Sequence, residues 1–202
     1  MDERVERGMR RQVGSAPADR IGWKMALNAP ALMETLGLGE PALGWLSRAQ
    51  VADGEHSLAG GKHPAVEPEL LLEVGEDGGV ARMGVALEVV DFDRPLEDLE
   101  DVIANNVFHR AVALGELGSV LDPGEAVFRI NGEERARVAE FEPPADTLAF
   151  VAGFLERCGQ RLAAGDLVIA GALAPAAPVR AGDAAALDAG RVGAISLRFE
   201  PM

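Results

Sequence analysis

The chain is poor in basic side chains, cysteine, histidine and long apolar runs, and each shortage excludes a class of function. Its 202 residues carry 19 Lys and Arg against 33 Asp and Glu, a formal net charge of −14. That balance excludes nucleic acid as a partner, because neutralising a phosphate backbone takes clustered cations. It disfavours anionic membrane surfaces for the same reason. Cys158 is the one cysteine, so neither an intramolecular disulfide framework nor a thiolate zinc cluster is available, and a reducing, cytoplasmic setting fits. No stretch approaches the roughly 18 apolar residues of a membrane-spanning helix. The charged start MDERVERGMRRQV also lacks the apolar segment of a secretory signal. No G-x-G-x-x-G follows a predicted strand, and neither the P-loop pattern nor G-x-S-x-G occurs, which removes the common nucleotide folds and an α/β-hydrolase serine. His56, His63 and His109 lack the helical spacing of a zincin.

What is present is enough apolar material for a folded core. Hydrophobic residues make up 48% of the chain, which excludes disorder of the whole, and the length suits one large domain or two small ones. We read residues 1–20 as an N-terminal helix and linker and 21–202 as a single domain. Val5, Met9 and Val13 recur every four residues, as on one face of a helix. Pro30–Leu36 is a second predicted helix, started by its proline and stopped by Gly37. Residues 51–63 read as a polar, glycine-rich loop. Val66–Val74 alternates as a strand, Gly75–Gly79 turns, and Val80–Val90 pairs back. Asp93–Asn106 is predicted helical, followed by a strand over Ala111–Leu114. In AVFRINGEERARV the Asn131-Gly132 pair suits the positive φ values of a type I′ hairpin. Pro144–Ala164 is a long predicted helix that encloses Cys158 and stops at Gly165. Short strands follow at Leu167–Ala170, Pro178–Arg180, Ala184–Asp188 and Ala194–Phe199. Strands spread along the chain with a few helices predict an α+β fold, mostly β.

Charged residues inside apolar strands are the informative anomaly. Glu88 interrupts VALEVV and Lys24 interrupts IGWKMAL. A buried lone charge costs several kcal/mol, so each should be paired, neutralised or metal-bound. Glu67 and Glu69, two residues apart, point to the same side of the neighbouring strand. Carboxylates converging from adjacent strands repel unless a cation holds them, and oxygen ligation suits Mg²⁺, Mn²⁺ or Ca²⁺ rather than zinc. The alternative is equally physical. Glu67 and Glu69 then form the solvated face of an edge strand marked by Pro68, and Lys24 with Glu88 forms a core ion pair.

The ordered set GWKMALNAPALMETLGL, VEPELLLEV, ALEVVDFD and GDLVIAGALAPAAPVRAGDAAALD, closing on VGAISLRF, resembles the 2-keto-4-pentenoate hydratase branch of the fumarylacetoacetate hydrolase superfamily from Ile21 onward. The resemblance implies a mixed-β rolled sheet with flanking helices and a homo-oligomer. It implies Mg²⁺ or Mn²⁺ on Glu67, Glu69 and Glu88, Lys24 as the catalytic pocket lysine, and substrate contacts at Asn106, His109 and Arg110. It further implies a small 2-oxo acid substrate handled through an enolate, with a hydratase (a lyase) first. A decarboxylase or tautomerase, an acylpyruvate hydrolase with His109 as base, and a metal-binding member without turnover are the other implied outcomes. Departures are specific. Ala42 stands where an acidic residue is usual, Asn105 to Phe108 stand where a D-N-A-S-like segment is usual with His109 and Arg110 replacing small residues after it, and the spacing from Glu69 to Glu88 is short. Arg110, if it faces the pocket, would favour dioate substrates; otherwise it is a surface residue.

Overall fold

The alternating run around Val66–Val74 becomes an interior strand, and the rest of the chain is arranged about it. The computed structural model describes residues 3–119, 122 and 124–201. Its elements run α1 (Glu3–Gly14), β1 (Arg20–Ala26), α2 (Pro30–Leu36), β2 (Ala42–Ser47), β3 (Glu55–His56), β4 (Pro64–Val74), β5 (Val80–Asp91), α3 (Leu99–Ala104) and β6 (His109–Leu114), then β7 (Ala126–Ile130), β8 (Glu133–Val138), α4 (Pro144–Arg157), β9 (Leu167–Ala172), β10 (Ala177–Pro178), β11 (Ala184–Asp188) and β12 (Ala194–Phe199). The larger sheet has the order β2-β1-β9-β4-β5-β6, with β10 added beside β4; the smaller has the order β3-β12-β11-β7-β8. β1 and β9 run parallel while β4 and β5 are antiparallel, so the larger sheet is mixed. It curls into a half-barrel, and the architecture is the mostly-β α+β class expected from the sequence.

Burial follows the alternation. Val66, Leu70, Leu72 and Val74 join a continuous core with Val5, Met9 and Val13 of α1 and with Leu148, Val151 and Leu155 of α4. Each such side chain contributes about 1.5–3 kcal/mol relative to exposure. On the other face of β4, in line with Glu67 and Glu69, Leu71 joins Leu46, Ala86, Val112 and Ile169 in a separate apolar cluster. This small cluster borders the carboxylate site described below on the same face of the sheet.

Several elements depart from the sequence expectation. β4 is flanked by β5 and β9, so Pro68 does not mark an edge. The strand tolerates it because the ladder to β9 is irregular between Glu69 and Leu71 and β10 pairs only as far as Val66, which leaves Pro68 between the two. α3 is confined to Leu99–Ala104 rather than Asp93–Asn106, since Asp98 caps it by accepting from the Asp101 N–H at 3.2 Å. Upstream, Arg94 bridges Asp93 and Asp101 and holds an irregular approach. α4 stops at Arg157, with Cys158 as its C-cap and Gly159 in the left-handed region at φ 72°. Gly159 therefore ends the helix well before Gly165. The short strand predicted at Pro178–Arg180 is Ala177–Pro178.

Candidate active site

Strand register assembles the site. Glu67 on β4 lies directly opposite Glu88 on β5, and Glu69 follows two residues on along the same face. One carboxylate oxygen from each of Glu67, Glu69 and Glu88 lies within 4.8 Å of the others. Glu69 and Glu88 are each 1% exposed, and Glu67 is less deeply buried. Lys24, on β1 and also 1% exposed, donates from Nζ to Glu88 Oε1 and to the Val107 carbonyl at 3.2 Å. His109, at the start of β6, places Nδ1 2.8 Å from the same Glu88 oxygen. Its Nε2 is buried and has no partner among the described residues. The Gly171 N–H donates to Glu69 Oε2 at 2.8 Å.

The electrostatics of the three carboxylates differ. Burial first and the Glu88 charge second push Glu67 up to about 7. The same two causes, with Glu67 added, push Glu69 well above the usual carboxylate range. Burial acts on Glu88 in the same direction, but Lys24 and the His109 hydrogen bond outweigh it and hold Glu88 ionised at about 2. Burial lowers His109 against the pull of Glu88, which keeps its ring neutral at the pH of a cell. The cluster thus has three acids and one ammonium, and two acids lack a compensating charge. An all-oxygen donor set short of two positive charges fits a hard divalent cation.

Local backbone features fix this arrangement. Gly44 pairs with Lys24 across β1 and β2. A Cβ there would sit 2.7 Å from Lys24 Cε and 2.6 Å from Asn106 Oδ1, so only glycine leaves room for the lysine stem. Gly171 adopts φ 94°, and a Cβ would meet Asn28 Nδ2 at 2.4 Å. Its left-handed backbone is what turns its N–H toward Glu69. Asn106, Val107 and Phe108 are three consecutive non-glycine residues at φ 64°, 47° and 63°, a costly conformation for a β-branched or bulky residue. The run is held by the Asn106 side chain, which accepts from the Trp45 N–H at 2.8 Å, donates to the Trp45 carbonyl at 3.0 Å and accepts from Gln12 Nε2 at 2.9 Å. It turns the Val107 carbonyl toward Lys24.

A cavity of about 550 Å³ opens beside the cluster, reaching Lys24 and Glu67. Asn106, His109 and Arg110 are absent from its wall. Asn106 is structural, as above, and His109 stands behind Glu88. Arg110 is turned away to Asp93 at 2.6 Å and Asp91 at 3.6 Å. Ala42, where an acid was the expected residue, is fully buried in the core. The wall is built instead from residues the sequence did not single out, including Phe92, Phe141 and Asn28. Asn28, Phe92 and Gly171 each lie in a segment that carried the resemblance, GWKMALNAPALMETLGL, ALEVVDFD and the GAL of the tail, whereas Phe141 lies in none of them.

No family model matches the chain. A curated 2-keto-4-pentenoate hydratase from Paraburkholderia phymatum is 30% identical over 191 residues, spanning 80% of this chain and 71% of the relative. The chain belongs to the 2-keto-4-pentenoate hydratase branch of the fumarylacetoacetate hydrolase superfamily. Solved structures share the fold of this hydratase-branch chain. The 4-oxalocrotonate decarboxylase of Pseudomonas putida G7, complexed with calcium and acetate, superposes with a TM-score of 0.77 at 23% identity, covering 94% of this chain and 80% of its own. Fumarylpyruvate hydrolase of Pseudomonas aeruginosa, in complex with Mn²⁺ and pyruvate, gives 0.71 at 18% identity, covering 92% and 91%.

Proposed function

We propose that the protein is a divalent-metal-dependent enzyme that acts on a small 2-oxo acid through an enolate, as a hydratase of the 2-keto-4-pentenoate type. The observation that carries the reading is the convergence of Glu67, Glu69 and Glu88 within 4.8 Å beside a buried lysine. The hydratase named for the Paraburkholderia phymatum relative and the metal and pyruvate of the fumarylpyruvate hydrolase complex support the same chemistry.

Glu67, Glu69 and Glu88 would hold the cation, Mg²⁺ or Mn²⁺. When bound it supplies Lewis-acid polarisation of the C2 carbonyl. Lys24 has three N–H donors, two of them fixed on Glu88 and the Val107 carbonyl. The third is left for the substrate: as the ammonium, Lys24 would give that proton to C3 of the enolate, and in the reverse direction the amine so formed would take one from C3. His109 donates to Glu88 and so holds that carboxylate ionised and oriented. Gly171 orients Glu69. The apolar cluster of Leu46, Leu71, Ala86, Val112 and Ile169 continues the same face of the sheet beside the carboxylates and is itself buried.

Ala42 gives a second reading its footing. Without an acid there, the chain keeps the groups for enolate formation but lacks one partner for activating water. That favours a 2-oxo acid decarboxylase or tautomerase as the alternative. The resemblance extends the proposal to a cytoplasmic homo-oligomer. Among the described residues no helix is long and apolar enough to cross a membrane.

The test is exchange of the C3 protons of pyruvate with deuterium, followed by NMR in the presence of Mg²⁺. Metal-dependent exchange that is lost in Lys24→Met is the expected result. Metal binding with no exchange identifies a member without turnover and refutes the proposal.

A further inference from the structure

We infer that the cavity selects 2-oxo monocarboxylates carrying an extended aliphatic or aryl tail and turns away 2-oxo dicarboxylates. The inference rests on the 2-oxo acid chemistry proposed above and concerns the part of the substrate remote from the carboxylate cluster.

Size is the first observation. The cavity of about 550 Å³ lies within the roughly 300–1,000 Å³ of sites that enclose drug-sized ligands, far more than a pentenoate-sized acid fills. Lining is the second. Beyond Lys24 and Glu67 the wall carries Leu32, Leu96, Phe92, Phe108 and Phe141. Phe92 and Phe108 pack edge to face with centroids 5.1 Å apart, forming a continuous aromatic surface. Charge is the third. Among the described residues Lys24 is the only cationic side chain on the wall, and it is committed to Glu88 and Val107. The other ionisable groups on the wall besides Glu67 are Glu140 and Glu142. Both are exposed and flank Phe141 on the link between β8 and α4, where the cavity meets solvent.

A distal carboxylate would therefore lose its hydration against aromatic rings, find no guanidinium or ammonium, and face two like charges at the mouth. Arg110, the side chain suited to clamp such a group, is engaged with Asp93 outside the wall. An apolar tail meets none of these penalties and gains burial along its length.

The experiment compares C3 deuterium exchange by the Mg²⁺-loaded protein on pyruvate, 2-oxooctanoate and 2-oxoadipate. The expected kcat/KM is about tenfold or more above pyruvate for 2-oxooctanoate, with 2-oxoadipate below pyruvate, since even one well-placed methylene is worth about tenfold in an apolar pocket. The double variant Glu140→Lys/Glu142→Lys should raise the 2-oxoadipate to 2-oxooctanoate ratio by about tenfold, as reversing like-charge contacts does at other interfaces. Equal or faster exchange of 2-oxoadipate by the unmodified protein, or a ratio unmoved by the double variant, overturns the inference. Exchange on none of the three acids refutes the turnover reading alone. In that event the rise in Tm produced by each acid with Mg²⁺ decides: a larger rise with 2-oxooctanoate supports the inference, and an equal or larger rise with 2-oxoadipate overturns it.

Discussion

In the metal-free protein, stability should fall as pH rises, and Glu67 sets the window. Its folded-state value is about 7 against 4.5 for the free side chain. A carboxylate whose value is raised on folding binds more protons in the native than in the unfolded state between those limits. Its neutral form is fully tolerated below 4.5; from there to 7 ionisation in the buried site becomes progressively more costly, and above 7 the full penalty is present. At about 1.4 kcal/mol per pH unit the window amounts to about 3 kcal/mol. Because Glu67 is only half-buried, solvent screening makes that an upper figure. Glu69 is shifted the same way by burial, so it adds to the slope. For a chain of this length a change of 3 kcal/mol moves Tm by about 6–12 °C. The assay is a thermal melt between pH 5 and 8 in chelator, repeated for Glu67→Gln and with Mg²⁺. The wild-type protein should melt lower at pH 8 than at pH 5, the variant should flatten the slope, and Mg²⁺ at about 100 times its Kd should restore roughly 2.7 kcal/mol at pH 8. Parallel pH profiles for the wild-type protein and Glu67→Gln, with no Mg²⁺ effect, would refute the account of the carboxylate cluster.

Lys24→Met leaves Glu88 buried without its ammonium, so metal-free melts should show a loss of about 3–5 kcal/mol; Mg²⁺ should recover much of it while exchange activity remains absent. Gly44→Ala drives a methyl into the Lys24 stem and Asn106. It should lower kcat by about tenfold or more, as small misplacements of a catalytic group do, with little change in KM. Gln12→Leu removes the amide that supports Asn106 and leaves a buried acceptor short of a partner, a cost of about 1–3 kcal/mol read by denaturant titration. A wild-type midpoint in that variant would mean that α1 is not coupled to the site.

Local signals in the sequence resolved the elements that local chemistry determines. Pro30 and Gly37 bound α2 in the structure as in the sequence, and Asn131 and Gly132 adopt φ 53° and 81° at the hairpin. Glu88 and Lys24 were legible because a charge in an unbroken apolar strand demands a partner. The sequence offered a metal site and a core ion pair as alternatives, whereas the structure places the Lys24–Glu88 pair within the carboxylate cluster itself. The ends of α3 and α4 were not legible, since Asp98 and Gly159 decide them against an apolar periodicity that continues past both. Nor was the cavity wall, which gathers Leu32, Phe92 and Phe141 from segments far apart in the chain. Gln12 lay on the Val5–Met9 stripe of α1, but its partner Asn106 is 94 residues away.

The left-handed run at Asn106, Val107 and Phe108 has a consequence for the protein under selection. Each residue held there costs about 1–3 kcal/mol that glycine would largely relieve. Val107 and Phe108 are nonetheless buried in the core, and removing either side chain would forfeit about 2–5 kcal/mol of packing, more than the backbone strain it relieves. Selection for stability and selection for turnover then hold the same two side chains, because the core packing that offsets the strained backbone also fixes the carbonyl that steadies Lys24.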